Sequence, residues 1–334
     1  MNSVRVDLRS VLKNYKARVI QIKQVDDYYL LETNRGRKQL QIWPRVDLLK
    51  WSFEWRERLA RAGIREVERF IRTRDAKPFV VAEKLGFVLV DHLEGAQPFQ
   101  LSTALVQDTG QRIAHLHLIL KETQQFFPVD LLAKEQLMAI AEAKRAADLQ
   151  DELIAVQSNR GAAWLLEQFR PLRERMEKCV ELLQQLELDP EGLIVSHRQL
   201  GIHNWCLVEG KPYLRGFNRT PISIQHRDVA SFLRELYVQS GSMELVSAFL
   251  DGYETIRPLR YDEYKLIIAL LVYPREVWEQ LQKSAAVVIS GAVADTWADD
   301  LQAVLERQCA WDQMIVQLAY RAERTRGVKT GEQI

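Results

Sequence analysis

The chain has 334 residues, 47% of them hydrophobic and 27% charged, enough apolar material for two lobes with cores of their own and the balance of an ordinary globule. Its 46 Lys and Arg against 45 Asp and Glu leave no net field to collect polyanions. No stretch interleaves basic with aromatic residues, so nucleic acid is excluded as a partner.

The first residues, MNSVRVDLRSVLKNYKARV, spread charge through an amphipathic pattern and offer no uninterrupted apolar core of a signal peptide. Val6, Leu8, Val11, Leu12 and Tyr15 predict a short helix. Alternating runs at Arg18–Gln24, Tyr28–Glu32 and Lys38–Trp43 predict three strands, with a turn at Asn34-Arg35-Gly36. In the third strand, Leu40 and Ile42 must face the lobe's interior. Gln39 and Gln41 therefore point the other way, because side chains alternate. Pro44 ends the sheet. Val46–Ala62 then repeats apolar residues at helical spacing, and Gly63 supplies the stop. Trp43, Trp51 and Trp55 around that helix read as core residues rather than as a binding surface. Pro78–Ala82 and Phe87–Leu93 predict two more strands.

After His92-Leu93-Glu94-Gly95 the pattern becomes mostly helical. Segments at Gln111–Leu120, Asp130–Gln150, Ala162–Leu186, Val229–Val238, Glu244–Ile256, Tyr261–Leu271 and Thr296–Tyr320 carry the helical period. The longest apolar run, Leu266–Tyr273, is eight residues, far below the roughly 20 needed to cross a bilayer, so no membrane partner is expected. The domains predicted are therefore 1–93, a small β-rich lobe with one long helix; 94–320, a helical lobe; and 321–334, a flexible tail poor in apolar residues. Cys179, Cys206 and Cys309 are odd in number and scattered. That suits a reducing, cytoplasmic compartment with three free thiols.

Within the helical lobe, Ser196–Asp228 breaks the pattern. An apolar run, Leu193–Val195, reaches His197; a loop follows; a second run, Trp205–Val208, begins after Asn204; and Gly210-Lys211 closes a hairpin into Tyr213–Phe217. His197, His203 and Cys206 are zinc-type ligands but lack paired spacing, so no metal site is predicted there. His115 and His117, two apart on one helix, cannot share a ligand.

This layout resembles the catalytic and metal loops of the aminoglycoside and choline kinase superfamily, in which His-x-Asp-x-x-x-x-Asn is followed by a hairpin, Asp-Phe-Asp and, about ten residues on, an Asp opening a helix. His197, Asn204, Phe217 and Asp228 fall in step. Gln111–Leu120, with Ile113-Ala114-His115-Leu116-His117, resembles the helix that begins the large lobe there. The resemblance implies an α+β, bilobal, protein-kinase-like (aminoglycoside phosphotransferase-like) fold, with a small antiparallel β lobe and a larger helical lobe.

It also locates what is missing. Matched position by position, Gln199 occupies the place of the catalytic base, Gly216 that of the main metal Asp, Asn218 that of the second Asp, and Gln41 that of the strand lysine. Glutamine cannot take up a proton near neutrality, and glycine brings no ligand atom. Asn218 is a poor replacement for an anionic oxygen facing magnesium. Lys38 has the parity of Leu40 and would need a bulge to reach the other face. No glycine precedes Gly36, and the first turn, Val25-Asp26-Asp27, would repel phosphate. His197 and Asp228 are read as architectural, and no carboxylate is seen near Gln199 or Gly216.

The FNRTPISIQHRDVASFL stretch and the VLVDHLEG segment further resemble the spore-coat kinase-like proteins. That implies a pseudokinase-like chain without cofactor, with a binding or scaffold role among protein partners such as spore coat components, and deposition on the forespore or spore coat. Two alternatives stay open: an ATP- and magnesium-dependent kinase of an amino alcohol, sugar or aminoglycoside, and a nucleotide sensor without turnover. Ser-His-Asp catalysis is unsupported, since no Gly-x-Ser-x-Gly elbow occurs.

Overall fold

The computed structural model describes residues 7–25, 28–122, 130–186, 188, 193–196, 200–216, 223–291 and 296–326. The chain divides into two compact units, one of residues 1–128, 199–222 and 248–257 and one of residues 129–198, 223–247 and 258–334.

The first unit is built on a five-stranded antiparallel sheet. Its strands are β1 (Val19–Val25), β2 (Tyr28–Thr33), β3 (Lys38–Trp43), β4 (Val80–Ala82) and β5 (Leu85–Asp91), in the order β1-β2-β3-β5-β4. Alternation explains it. Leu31, Leu40, Phe87 and Leu89 share one face with Val11, Leu12 and Tyr15 from α1 (Leu8–Leu12) and its exit, a contiguous buried cluster. Asp7 caps α1 by accepting from the Arg9 N–H. The five predicted strands all form, β3 with its predicted bounds and the others with ends moved by at most two residues.

Helix α2 (Asp47–Arg61) presents a buried stripe of Leu48, Leu49, Trp51, Ser52, Trp55, Arg56 and Leu59. All three tryptophans of this region are core residues, at 2%, 3% and 0% exposure for Trp43, Trp51 and Trp55. Helix α3 (Thr103–Lys121) crosses the 248–256 part of α7 (Met243–Ile256) backbone against backbone. A Cβ on Gly110 would stand 2.2 Å from the Phe249 carbonyl oxygen, and one on Gly252 2.1 Å from that of Gln107. That crossing seats His117, buried, with Nδ1 2.8 Å from the Tyr253 hydroxyl.

A smaller sheet in the same unit joins β6 (Gln97–Pro98), β8 (Trp205–Val208) and β9 (Lys211–Leu214) in the order β6-β8-β9. Glu209 and Gly210, both at positive φ, make the hairpin turn between β8 and β9. Segment 66–68 lies along β9: the Glu68 N–H donates to the Leu214 carbonyl at 2.9 Å and the Leu214 N–H to that of Glu66 at 3.0 Å.

The second unit is helical, with α4 (Leu131–Ala155), α5 (Arg160–Gln184), α6 (Gln225–Ser240), α8 (Tyr261–Val272), α9 (Arg275–Ser290) and α10 (Trp297–Thr325). A two-stranded pairing of β7 (Val195–Ser196) with β10 (Ser223–Ile224) belongs to it. Its core gathers Leu165, Phe169, Met176, Trp278, Leu281 and Leu301. Helix α9 was not anticipated, although Trp278, Leu281, Ala285 and Val288 are spaced three and four apart and buried. Helix α10 continues to Thr325 with Ala322 buried, into the segment expected to be a tail.

Candidate functional site

Strand β3 runs against β5 in unbroken register from Lys38, opposite Asp91, to Trp43, opposite Gly86. No bulge carries Lys38 to the other face. Its ammonium instead pairs with Asp91 at 2.6 Å. Gln41 and Trp43 therefore occupy the face opposite the α1 cluster, as alternation requires.

Both are sealed in. Gln41 is 5% exposed; its Nε2 donates to Glu68 Oε1 at 2.6 Å and its Oε1 accepts from Trp43 Nε1 at 3.3 Å. Arg56, from the buried stripe of α2, closes the network. Its Nε donates to the Glu68 carbonyl at 2.8 Å, its Nη1 to the Ser52 carbonyl at 2.8 Å, and its Nη2 stands 4.0 Å from Glu68 Oε2. The guanidinium carbon lies 4.1 Å from the Trp55 ring centroid and 4.8 Å from that of Phe70, a cation held over aromatic faces. Burial disfavours both charges. It pulls the Arg56 pKa down against the attraction of Glu68, and pushes the Glu68 carboxyl up against Arg56, Gln41 and the Gly216 N–H.

The Glu68 carboxylate thus lies beside Gly216, and this corrects the expectation that no carboxylate comes near that position. The physical reason is the pairing of segment 66–68 with β9, which ends one residue before Arg215-Gly216. No motif announces it. Gly216 itself sits at φ +82°, and a Cβ there would meet Asn204 Nδ2 at 3.4 Å. Asn204 is buried; its Oδ1 accepts from the Gly201 N–H at 3.1 Å, and its Nδ2 donates to the carbonyls of Arg215 and Gly216, both at 3.2 Å. Its amide pins two loops together.

Beside this network, Gln39, Glu68, Asp91, Leu93, Tyr213 and Arg215 line a cavity of about 120 Å³. Ligand sites run from roughly 300 to 1,000 Å³. The Tyr213 hydroxyl donates to the Val67 carbonyl at 3.0 Å and is not free to turn toward a ligand. Cys206 is buried and His203 exposed, so this pair does not converge.

In the second unit, Asp228 is fully buried in the first turn of α6 and accepts from the Ser196 hydroxyl. Gln225, one turn earlier, exchanges two bonds with Ile194: the Ile194 N–H donates to Oε1 at 2.7 Å and the Gln225 N–H to the Ile194 carbonyl at 3.0 Å. The start of α6 is thereby fastened to β7. His197, Gln199, Phe217 and Asn218 lie outside the described residues.

The sequence matches no protein-family model and none of the curated proteins compared with it. Solved structures do match. An aminoglycoside phosphotransferase from Alicyclobacillus acidocaldarius subsp. acidocaldarius DSM 446 superposes with a TM-score of 0.75 at 16% identity, over 97% of this chain and 98% of that one. This is the aminoglycoside phosphotransferase fold. A spectinomycin phosphotransferase (TM-score 0.62, 14% identity, 96% of this chain and 100% of that) and a microcompartment-associated aminopropanol kinase (0.55, 13%, 94% and 98%) share it. In the phosphotransferase fold the antiparallel sheet and the larger helical part are those expected from sequence. Among the described residues no helix is long and apolar enough to cross a membrane.

Proposed function

We propose that this phosphotransferase-fold chain does not transfer phosphate and serves as a pseudokinase-like binding or scaffold protein. The observation that carries the reading is Gln41. On the alignment above it takes the place of the lysine that pairs with nucleotide phosphates, yet it is buried and its amide is spent on Glu68 and Trp43. Gly216 supplies no ligand atom, and Gln199 cannot act as a base near neutrality. Loss of base catalysis alone costs roughly 10²- to 10⁴-fold in rate. A stable fold and a surface suffice for binding a partner. Under this reading neither ATP nor magnesium is needed, the partners are proteins, and the likeness to spore-coat kinase-like proteins points to coat components and to deposition on the forespore or spore coat from the cytoplasm.

One observation favours the second reading, a working small-molecule kinase: the Glu68 carboxylate beside Gly216. Against it, Oε1 of Glu68 is taken by Gln41 and its charge is opposed by the buried Arg56. Thermal melting with and without magnesium-ATP separates the readings. A ligand at a hundred times its dissociation constant adds about 2.7 kcal/mol. The scaffold reading predicts no shift; a magnesium-dependent rise in melting temperature selects the kinase, and a rise without turnover the sensor.

A further inference from the structure

A cavity of about 400 Å³ lies wholly within the helical unit, between α4, α5, α8 and α9 with the first turn of α6. Its size is that of a small-molecule site. Met138, Ala139, Leu270 and Trp278 give it an apolar wall, and three arginines and three glutamates reach it.

Most of those charges are already matched. Arg227 donates through Nε to Glu135 Oε2 at 2.9 Å, and the same carboxylate accepts from the Ser223 hydroxyl. Glu142 accepts from Arg145 Nη1 at 3.1 Å and from Trp278 Nε1 at 2.8 Å. Arg275 differs. Among the described residues its guanidinium has no hydrogen bond and no carboxylate within ion-pair distance, Glu279 one turn along included, although that arginine is only partly exposed. Burial and the neighbouring Arg227 charge both disfavour its protonated form. A half-buried cation with no hydrogen-bonded counter-charge, drawn to Glu279 and Glu135 only from beyond ion-pair distance and facing a roomy cavity with an aromatic wall, is a cost to the empty protein that an incoming anion lowers.

We propose that this cavity binds a small organic oxyanion, its carboxylate or phosphate held by the planar fork of Arg275 and its apolar body laid against Trp278 and Leu270. Guanidinium recognises both head groups in bidentate fashion, more strongly than neutral donors do. This goes beyond the scaffold reading and does not rest on it, since neither nucleotide nor magnesium enters.

The test uses the full chain and four aromatic probes of similar size: phenyl phosphate, benzoate, benzyl alcohol and benzylamine. Binding is followed by saturation-transfer NMR and calorimetric titration without nucleotide. Phenyl phosphate or benzoate should bind at least about tenfold more tightly than benzyl alcohol, the scale of one charge-assisted hydrogen bond, and the tighter of the two identifies the head group. In Arg275→Met that preference should fall to within about twofold while benzyl alcohol binding stays put. The variant should also melt no lower than the parent, which a merely structural arginine would not allow. Arg275→Gln serves the same comparison if the methionine variant folds poorly. Equal binding of charged and neutral probes, tightest binding of benzylamine, or an oxyanion preference that survives both substitutions would overturn the proposal.

Discussion

Breaking the Arg56–Glu68 pair tests the network that commits Gln41 and Gly216. Arg56 is 1% exposed and Glu68 6%, so neither charge can escape to solvent when its partner is removed. Arg56→Met leaves the Glu68 carboxylate buried with Gln41, the Gly216 N–H and the more distant Arg215 charge for support. Glu68→Gln leaves the Arg56 guanidinium over Trp55 and Phe70 without the Glu68 carboxylate. Removing one member of a buried pair costs about 3–5 kcal/mol, and Arg56→Met also gives up a desolvated cation–π contact worth about 2 kcal/mol. The double variant behaves differently. Burial opposes both charged forms, so the pair's mutual attraction does not fully offset its desolvation, and removing both charges together should cost less than either single change. Urea unfolding followed by tryptophan fluorescence reports the site directly, because Trp43 and Trp55 lie against Arg56. A double-mutant cycle should then give a coupling of several kcal/mol, well above the 0.5–3 kcal/mol usual for neighbours. Single variants costing under about 1 kcal/mol, or effects that simply add, would show that the pair does not hold this part of the fold.

Further outcomes follow from the same geometry. Gly216→Ala, at φ +82° and 3.4 Å from Asn204 Nδ2, should lose about 1–2 kcal/mol from left-handed backbone strain alone; an unchanged denaturation midpoint would contradict the backbone assigned there. Of the three free thiols, Cys179 is buried and pushed up to about 12, Cys206 is buried and raised by the same desolvation, and Cys309 is exposed. Iodoacetamide at pH 8 should therefore label one cysteine per native chain and three in denaturant, counted by intact mass; rapid native labelling of Cys179 would refute the packing of α5.

How much was legible in the sequence depended on periodicity. Strands β1 to β5 are legible as short apolar or alternating runs between turn signals, and most helices because one face of each is packed and the other is not; the parity of Leu40 alone fixes which face Gln41 takes. Helix α9 carries the same signal in Trp278, Leu281, Ala285 and Val288, just behind the breaker Pro274. Arg56 was also within reach: it falls four residues after Ser52 and three before Leu59, on the apolar stripe of its helix, where a charge demands a partner. Glu68 was not. It lies in a segment with no regular period, and its neighbour Gly216 belongs to a distant hairpin that only tertiary pairing of residue 68 with Leu214 brings alongside. The motif spacing marks Asp228 as architectural and Asn204 as a nucleotide or metal position of the loop, and the structure gives both hydrogen-bond partners: Ser196 for one, Gly201, Arg215 and Gly216 for the other.

The central claim is that Gln41, Gly216 and the sealed Glu68 leave no grip for a metal-bound nucleotide. Calorimetric titration of ATP into the full chain, with and without magnesium, measures that grip. The account predicts no heat of binding at millimolar nucleotide and no difference on adding magnesium. Saturable, magnesium-dependent binding would contradict it.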